Sequence, residues 1–134
     1  MLRSGAMGDV VSGAARFRFP AARRLKRSRD FDRVRLEGRT LRGRLLTLGV
    51  FEVEEESAFR VGFVTSRRIG AAAVRNRVRR RLRDIVRRDQ HGLRKGIWLV
   101  VIARPGAAAA EFGALEKEWR RLAERAAVLP PSSS

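Results

Sequence analysis

Apolar residues alternate with polar ones in two stretches of the chain and run uninterrupted in a third, and each pattern predicts β-strand. Alternation occurs in residues 41–53 (LRGRLLTLGVFEV) and in residues 58–65 (AFRVGFVT). The first stretch has room for an additional strand if Gly49 marks a break, whereas Gly62 in the second leaves space for another group to approach closely. Residues 97–103 (IWLVVIA) are continuously apolar, as in a central strand buried on both faces. We therefore expect a sheet that is covered, at least in part, on both sides.

Three other segments place apolar residues three and four apart, which is the spacing of amphipathic helices. Residues 28–37 form the first, with Ser28 as its N-cap and Gly38 as its stop. The second lies within residues 65–88 and has one apolar stripe, made of Val74, Val78, Leu82, Ile85 and Val86. The third lies within residues 107–127 and has another, made of Phe112, Leu115, Trp119, Leu122 and Ala126. We interpret both stripes, and both tryptophans of the chain, as core.

The order of these elements predicts a single domain of the α+β class. With the additional strand, the order of elements is αβββαβα-like. The domain is expected to span residues 16–127. Residues 1–15 are small, Gly-rich and aperiodic, and residues 128–134 are short and rich in Pro and Ser, so both are predicted to be flexible tails.

Basic residues outnumber acidic ones by 31 to 14, which gives the chain a net charge of +17. The excess is concentrated in two blocks, residues 16–44 and residues 66–88, and each block has a net charge of +9. The second block coincides with the predicted second helix, where arginines fill the face opposite the apolar stripe. Such a helix can bury one side in a core and present the other to a polyanion. The pattern predicts a nucleic-acid-binding protein.

Arg75 has an unusual position among these arginines, because helical spacing places it about 100° from Val74, within the apolar arc. A charged group there is costly unless it projects beyond the core or is paired. Near the helix start its guanidinium would be free to meet a phosphate. A solvated face is the common interpretation of an arginine run. Ten arginines against the single acid Asp84 in this block favour a binding surface.

Residues 16–27 (RFRFPAARRLKR) combine basic residues with Phe17 and Phe19, and Pro20 favours an extended chain before it. Basic and aromatic residues together suit a single strand of nucleic acid, whose phosphates meet Arg and whose bases stack on rings. The alternative is that both rings anchor the segment on the domain.

Catalytic and metal-binding constellations are absent from the sequence. There is no cysteine, the single histidine is His91 at a predicted helix end, and no phosphate-binding glycine loop occurs. The side chains of the adjacent Glu54, Glu55 and Glu56 diverge, which suits a solvated turn better than a metal site. No apolar run reaches the ~20 residues of a membrane span, and no signal peptide is evident. We expect no catalytic residue, no metal site, no membrane contact and a cytoplasmic location.

A specific motif surrounds the start of the arginine-rich helix: Ser66-Arg67-Arg68-Ile69-Gly70, then Val74-Arg75-Asn76-Arg77-Val78-Arg79-Arg80-Arg81-Leu82-Arg83. It resembles the signature of the bacterial ribonuclease P protein component. The resemblance extends over roughly residues 17–126, with matches at Arg24-Leu25-Lys26, Asp30-Phe31, Gly38-Arg39, Arg44, Arg60-Val61-Gly62 and Val101-Ile102-Ala103-Arg104.

This resemblance implies a single-domain α/β sandwich in which a left-handed βαβ crossover presents the arginine-rich helix. It also implies a protein subunit of an endoribonuclease that removes the 5′ leader of precursor tRNA, with catalysis in a partner RNA and its Mg²⁺ ions. No cofactor is expected on the protein alone, and one protein is expected per RNA. Contacts to the catalytic RNA are implied for Ser66, Arg67, Arg68, Arg75, Asn76, Arg77, Arg79, Arg80 and Arg83.

The resemblance places the single-stranded leader in a cleft at Phe31, and we expect Arg35, Arg24, Lys26 and Arg44 as further leader contacts. Two positions depart from the family pattern. Arg35 stands where a second cleft aromatic is common, and Gly49 where another is common in the following strand. Each lost base stack would remove about 1–3 kcal/mol, which phosphate contacts could partly replace at low salt. The leader cleft is therefore expected to rely more on charge and less on stacking than the family pattern implies.

Two other functions stay open at this point. The charge alone would equally support a general RNA-binding or ribosomal protein. A nuclease with its own active site is the third class, and the missing catalytic cluster argues against it. Cleavage of precursor tRNA by the protein, with and without a partner RNA, distinguishes these classes.

Overall fold

The computed structural model describes residues 23–55 and 57–131. The predicted N-terminal tail, Phe17, Phe19 and the last three residues of the predicted C-terminal tail lie outside this part of the chain. Within it the helices and strands follow the predicted αβββαβα order. They are α1 (Ser28–Glu37), β1 (Arg39–Arg42), β2 (Leu46–Glu52), β3 (Arg60–Val64), α2 (Ala72–Arg88), β4 (Ile97–Ala103) and α3 (Phe112–Arg125).

The strands form one mixed sheet in the order β1-β2-β4-β3. As its continuous apolar run indicates, β4 lies inside the sheet, antiparallel to β2 and parallel to β3. Parallel neighbours cannot be joined by a tight turn, and α2 lies in the crossover between them. The α+β class is thus confirmed and the sheet is found to be mixed, while the left-handed sense of the crossover stays a prediction.

The main core lies between one face of the sheet and the helices α2 and α3. Both predicted helical stripes contribute to it, and Val74 and Phe112 pack at its margin. Trp119 is fully buried there, and its indole Nε1 donates a hydrogen bond to Asp89 at 2.8 Å. The strands supply alternate residues to the same core: Leu46, Leu48 and Val50 from β2, and Ile97, Leu99, Val101 and Ala103 from β4. The predicted amphipathic faces are confirmed.

The opposite face of the sheet carries α1, which packs against β2 and β4. Gly62 of β3 and Gly49 of β2 lie in one cross-strand row on either side of Val100. A Cβ on Gly62 would overlap the ring of Phe31, and a Cβ on Gly49 would be 3.1 Å from Val34 Cγ1. The two glycines therefore let α1 approach the sheet. The space predicted at Gly62 is confirmed, and Gly49 lies inside β2 instead of marking a break.

A buried carboxylate organises the break between β1 and β2. Glu118 of α3 accepts hydrogen bonds from the N–H groups of Leu45 (2.5 Å) and Leu46 (2.8 Å). Burial alone would raise the pKa of the Glu118 carboxyl, but these two donors and the Arg121 guanidinium hold that pKa below its ordinary value. The contact joins residues more than 70 positions apart, so local alternation gives no sign of it.

Two predicted boundaries differ from the structure. Ser28 is the first residue of α1, and Arg27 precedes it as N-cap without a side-chain hydrogen bond. Val128 and Leu129, assigned to the C-terminal tail, are buried in the main core. The Val128 carbonyl accepts a hydrogen bond from the Arg94 N–H at 3.1 Å. The packed chain therefore continues beyond residue 127.

Candidate nucleic-acid interface

The arginines of α2 and of the turn before it differ in their contacts inside the molecule, and two groups of them stand out. On one flank, Arg77 Nη2 donates to the Ala108 carbonyl and Arg81 Nη1 to the Ala110 carbonyl, both at 3.2 Å. The residues that accept these bonds lie between β4 and α3. Arg77 and Arg81 therefore connect α2 to the segment before α3 by hydrogen bonds, and they also add positive charge to the helix surface.

The second group consists of cations without an anionic partner. Within the described residues, five arginines of the motif have no hydrogen bond and no ion pair from their side chains: Arg67, Arg68, Arg75, Arg80 and Arg83. All five were predicted to contact RNA. We call them the free arginines. Five uncompensated charges on one helix and the turn before it make this surface strongly attractive to a polyanion.

Arg75 lies where its sequence position indicates, half-buried in the first turn of α2 at the margin of the apolar stripe. About 100° per residue places Arg79 one turn on and Arg83 two turns on along the same flank. The flank faces away from Arg77 and Arg81. Arg75 thus belongs to a row of arginines that borders the core without entering it.

Arg79 is held in a fixed orientation within this row. Its Nη1 donates to Asn76 Oδ1 at 3.1 Å, and its Nη2 donates to the buried Thr65 Oγ1 at 2.5 Å. The RNA contact of Asn76 stays a prediction; in the structure its side-chain oxygen orients the Arg79 guanidinium. Thr65 was not predicted as a site residue. The sequence feature that could have indicated Thr65 is its place as a polar residue at the end of β3, immediately before the motif.

Positive charges from both sequence blocks meet beside β3. Arg24 forms a parallel backbone bridge with Val61, so the segment before α1 follows the edge of the sheet. Burial, then the charges of Arg24 and Arg79, hold the pKa of the Arg83 guanidinium below its ordinary value. Crowded like charges are costly to the folded state, and a bound polyanion would offset that cost.

The turn that leads into α2 adds to the positive surface. Residues Arg67–Ile69 form a 3₁₀ turn in which Ile69 is buried, while Ser66, Arg67 and Arg68 are exposed. Gly70 follows with φ 145°, a conformation that favours glycine. No side chain caps α2, and its first turn has no acidic residue. The N–H groups at the helix start therefore contribute partial positive charge next to these arginines.

The predicted leader cleft has two of its five residues on one side of α1. Phe31 is half-buried with its ring over Gly62. Arg35 lies one turn further along α1, is exposed, and pairs with Asp32 at 3.1 Å. The α1 face toward β3 and β4 thus offers one aromatic ring and one cation, as expected from the departure at Arg35.

The other three predicted leader residues lie elsewhere. Arg24 and Lys26 line a groove on the opposite side of α1. Arg44 lies on the loop between β1 and β2, where it lines a hollow beside α3 with Lys117 and Gly106. The structure therefore does not bring Arg44 to Phe31. The backbone of this loop is held by the hydrogen bond from the Leu45 N–H to Glu118, a long-range contact that the sequence did not predict.

Two aromatic residues near Lys26 were missed as site candidates. Trp98, predicted as core, is half-buried and packs with Phe51 against the smaller cluster of Leu25, Val34 and Val100. The ring centroids of Trp98 and Phe51 are 6.1 Å apart. Trp98 alternates with core residues of β4 and so points to the face that carries α1. The alternation would have indicated this face, but the uninterrupted apolar run suggested burial on both sides.

A protein-family model described as Ribonuclease P matches residues 19–127. The chain belongs to the ribonuclease P protein family. The ribonuclease P protein component of Symbiobacterium thermophilum is 39% identical over 108 residues, covering 81% of this chain and 94% of that protein. The component from Acidothermus cellulolyticus is 40% identical over 107 residues, covering 79% and 89%. As a family member the chain is a component of ribonuclease P, which disfavours a general RNA-binding or ribosomal protein.

Solved ribonuclease P proteins have the same fold. The protein from Thermotoga maritima is 28% identical with a TM-score of 0.69, covering 76% of this chain and 96% of that one. The protein from Staphylococcus aureus is 23% identical with a TM-score of 0.74, covering 80% and 97%, which is a likeness in fold.

Neither a metal cluster nor a membrane span occurs in residues 23–55 and 57–131. No three His, Cys, Asp or Glu side chains come together there as ligands of an ion. No helix in this part of the chain has the length and apolar character needed to cross a bilayer. The expectation that Mg²⁺ accompanies the RNA stays a prediction.

Proposed function

We propose that this ribonuclease P protein assists a catalytic RNA in removing the 5′ leader of precursor tRNA in the cytoplasm, with one protein per RNA. The RNA and its Mg²⁺ ions perform the phosphodiester hydrolysis. The protein binds both the catalytic RNA and the substrate. Its membership in the family supports this division, as does a sequence without a nucleophile–base pair or a cluster of metal ligands.

The proposed docking of the catalytic RNA rests on the free arginines. Proteins usually pair surface arginines with nearby carboxylates, as this chain does at Arg87 and Asp84 (3.0 Å). The free arginines lack such partners in the described structure, and the fold keeps them on one helix and its preceding turn. A planar guanidinium suits bidentate phosphate contacts. This surface is therefore the docking site for the catalytic RNA.

The leader-binding role is supported by Phe31 and Arg35. A base can stack on the exposed part of the Phe31 ring, and a phosphate can displace the exposed contact between Arg35 and Asp32. Surface ion pairs of this kind contribute little, so their exchange for a phosphate costs little. Arg44 lies beside α3 and not at Phe31, so we assign it no role in this cleft.

Reconstituted cleavage of precursor tRNA tests the proposal. Purified protein alone should not cut, whereas adding the cognate RNA and Mg²⁺ should give cleavage at the mature 5′ end. The RNA alone, at the same Mg²⁺ concentration, is the matched control and should cut more slowly or bind substrate more weakly. Specific cutting by the protein alone would support the nuclease alternative instead.

A further inference from the structure

A second groove lies on the sheet face that carries α1, at the end of β3 away from the 3₁₀ turn Arg67–Ile69. Arg60, Trp98 and Phe51 form one cross-strand row at its floor, because Trp98 pairs with Arg60 on one side and Phe51 on the other. The groove has a volume of about 930 Å³ and is bounded by α1 and the segment before it.

The groove is separate from the Phe31 cleft. Because α1 crosses the sheet over the row that contains Gly62 and Gly49, it divides this face into two parts. Arg33 and Arg35 are about 200° apart on the helix, so they border opposite parts. Arg35 lies on the Phe31 side, and Arg33 lies over the rings of Trp98 and Phe51.

The aromatic pair already binds a flat cation. The Arg33 guanidinium carbon lies 4.9 Å from the Phe51 ring centroid and 5.9 Å from that of Trp98. Arg33 is half-exposed, and its ion pair with Glu37 is long, at 3.7 Å. A cation–π contact at an exposed site is weak, so a nucleobase can replace the guanidinium on the rings.

The charge around the rings favours a phosphate backbone. The groove lining has six basic and three acidic side chains. One of the acids, Glu52, is already engaged by Arg94 (2.9 Å) and Arg39 (3.5 Å), which lowers its pKa and compensates its charge. Lys26, Arg27 and Arg60 have no side-chain hydrogen bond or ion pair with described residues. Basic groups beside stacked rings are the combination that binds single-stranded nucleic acid.

We propose that this groove is a second subsite for single-stranded RNA, which binds leader nucleotides farther from the cleavage site than those at Phe31. The inference rests on the proposed function and extends it. Along β3, Arg60 is two residues from Gly62, which the Phe31 ring covers. This is a separation of roughly 7 Å along the strand, which a single strand of RNA can span. A base stacks on Trp98 and Phe51, and Arg33 moves from the rings to a phosphate.

Tryptophan fluorescence tests binding without any substitution. The chain has two tryptophans, and Trp119 is buried and bonded to Asp89, so a change on adding RNA reports Trp98. A short oligoadenylate should quench the emission of the full-length protein at low salt. The same titration of Trp98→Phe, which retains Trp119, should give no quenching. Quenching that persists in Trp98→Phe, or none in the native protein, would overturn the proposal.

Leader length tests which nucleotides bind. Trp98→Leu keeps an apolar side chain but removes the stacking surface of the indole, and losing one base stack corresponds to about 5- to 150-fold weaker binding. The ribonucleoprotein with Trp98→Leu should bind precursor tRNA with a long leader this much more weakly, and bind a short-leader substrate normally. Leu36→Ala, at an exposed position of α1, is the control.

The outcomes separate the two proposals. Equal binding of the long-leader substrate by Trp98→Leu and native protein would overturn the second subsite, as would equal losses for both leader lengths. Failure of the native protein to support cleavage with the cognate RNA would instead overturn the proposed function. The oligoadenylate titration needs no catalytic RNA, so its result is independent of that failure.

Discussion

At the scale of single residues, the contacts inside the molecule separate arginines that look equivalent in the sequence. Arg80 and Arg81 are neighbours, yet Arg80 is exposed and free while Arg81 donates to the Ala110 carbonyl. Helical spacing predicts that they point about 100° apart, but it does not indicate which of them finds an acceptor. The acceptor comes from the segment before α3, which only the folded chain brings near.

Arg81→Ala should lower the stability of the fold, whereas Arg80→Ala should not. The first substitution removes a side-chain hydrogen bond worth about 1 kcal/mol, and the second removes a solvated cation from a crowded positive surface. Urea denaturation followed by circular dichroism measures both free energies of unfolding. Equal losses of stability would contradict the division of these arginines into two groups.

Phe31→Ala should weaken binding of leader-bearing substrate by the ribonucleoprotein. Losing one base stack costs about 1–3 kcal/mol, or about 5- to 150-fold in affinity. Because the ring also packs on Gly62, Phe31→Leu is the companion variant that keeps much of this contact. Affinities for precursor tRNA and for leaderless tRNA are compared. Similar losses for both RNAs would rule out Phe31 as a leader contact.

At the scale of elements, the helices and strands follow from local patterns, while their mutual placement depends on distant contacts. The alternation around Leu48 and Val61 predicted β2 and β3, and the apolar run at residues 97–103 predicted the central β4. The division between β1 and β2 and the hollow at Arg44 were not predictable, because Glu118 is fixed by residues in a remote part of the sequence.

The β1–β2 connection should make stability depend on acid pH. The pKa of Glu118 is below its ordinary value in the folded chain, so its ionised form stabilises the fold above about pH 4.5. This contribution should disappear as the pH falls through the lowered pKa. We expect Glu118→Gln to be less stable than the native protein at neutral pH and to approach it in acid.

Free energies of unfolding measured by urea at a series of pH values check this expectation. Glu37→Gln, at an exposed position of α1, is the control and should retain the pH dependence of the native protein. A difference between Glu118→Gln and native protein that stayed constant down to strongly acidic pH would contradict the assignment.

At the scale of the whole molecule, a net charge of +17 is distributed so that the two sequence blocks meet beside β3. Composition and charge blocks predicted a polyanion partner, and the motif around Arg75 predicted its surface. The second groove was not predicted. Its floor combines Phe51, Arg60 and Trp98 from three strands, and a strand register cannot be read from one sequence.

Polyvalent anions should stabilise the native protein. Tripolyphosphate binds the crowded cations near Arg83 in the folded state and finds no such cluster in the unfolded chain. At about 100 times its dissociation constant it should add about 2.7 kcal/mol. Thermal unfolding with tripolyphosphate, against sodium chloride at equal ionic strength, measures the effect. Equal stabilisation by both salts would show general screening instead of a binding surface.

The most direct test of RNA docking is the affinity of the protein for its catalytic RNA in two variants that each lose three positive charges. One replaces Arg75, Arg80 and Arg83 by alanine, and the other replaces Arg77, Arg81 and Arg88, of which Arg88 lies 3.7 Å from Glu116. The first should bind much more weakly and reduce the slope of log affinity against log salt by about two to three. The second should lose less affinity and less slope while unfolding at a lower temperature. Equal losses of affinity and slope in the two variants would contradict docking through the free arginines.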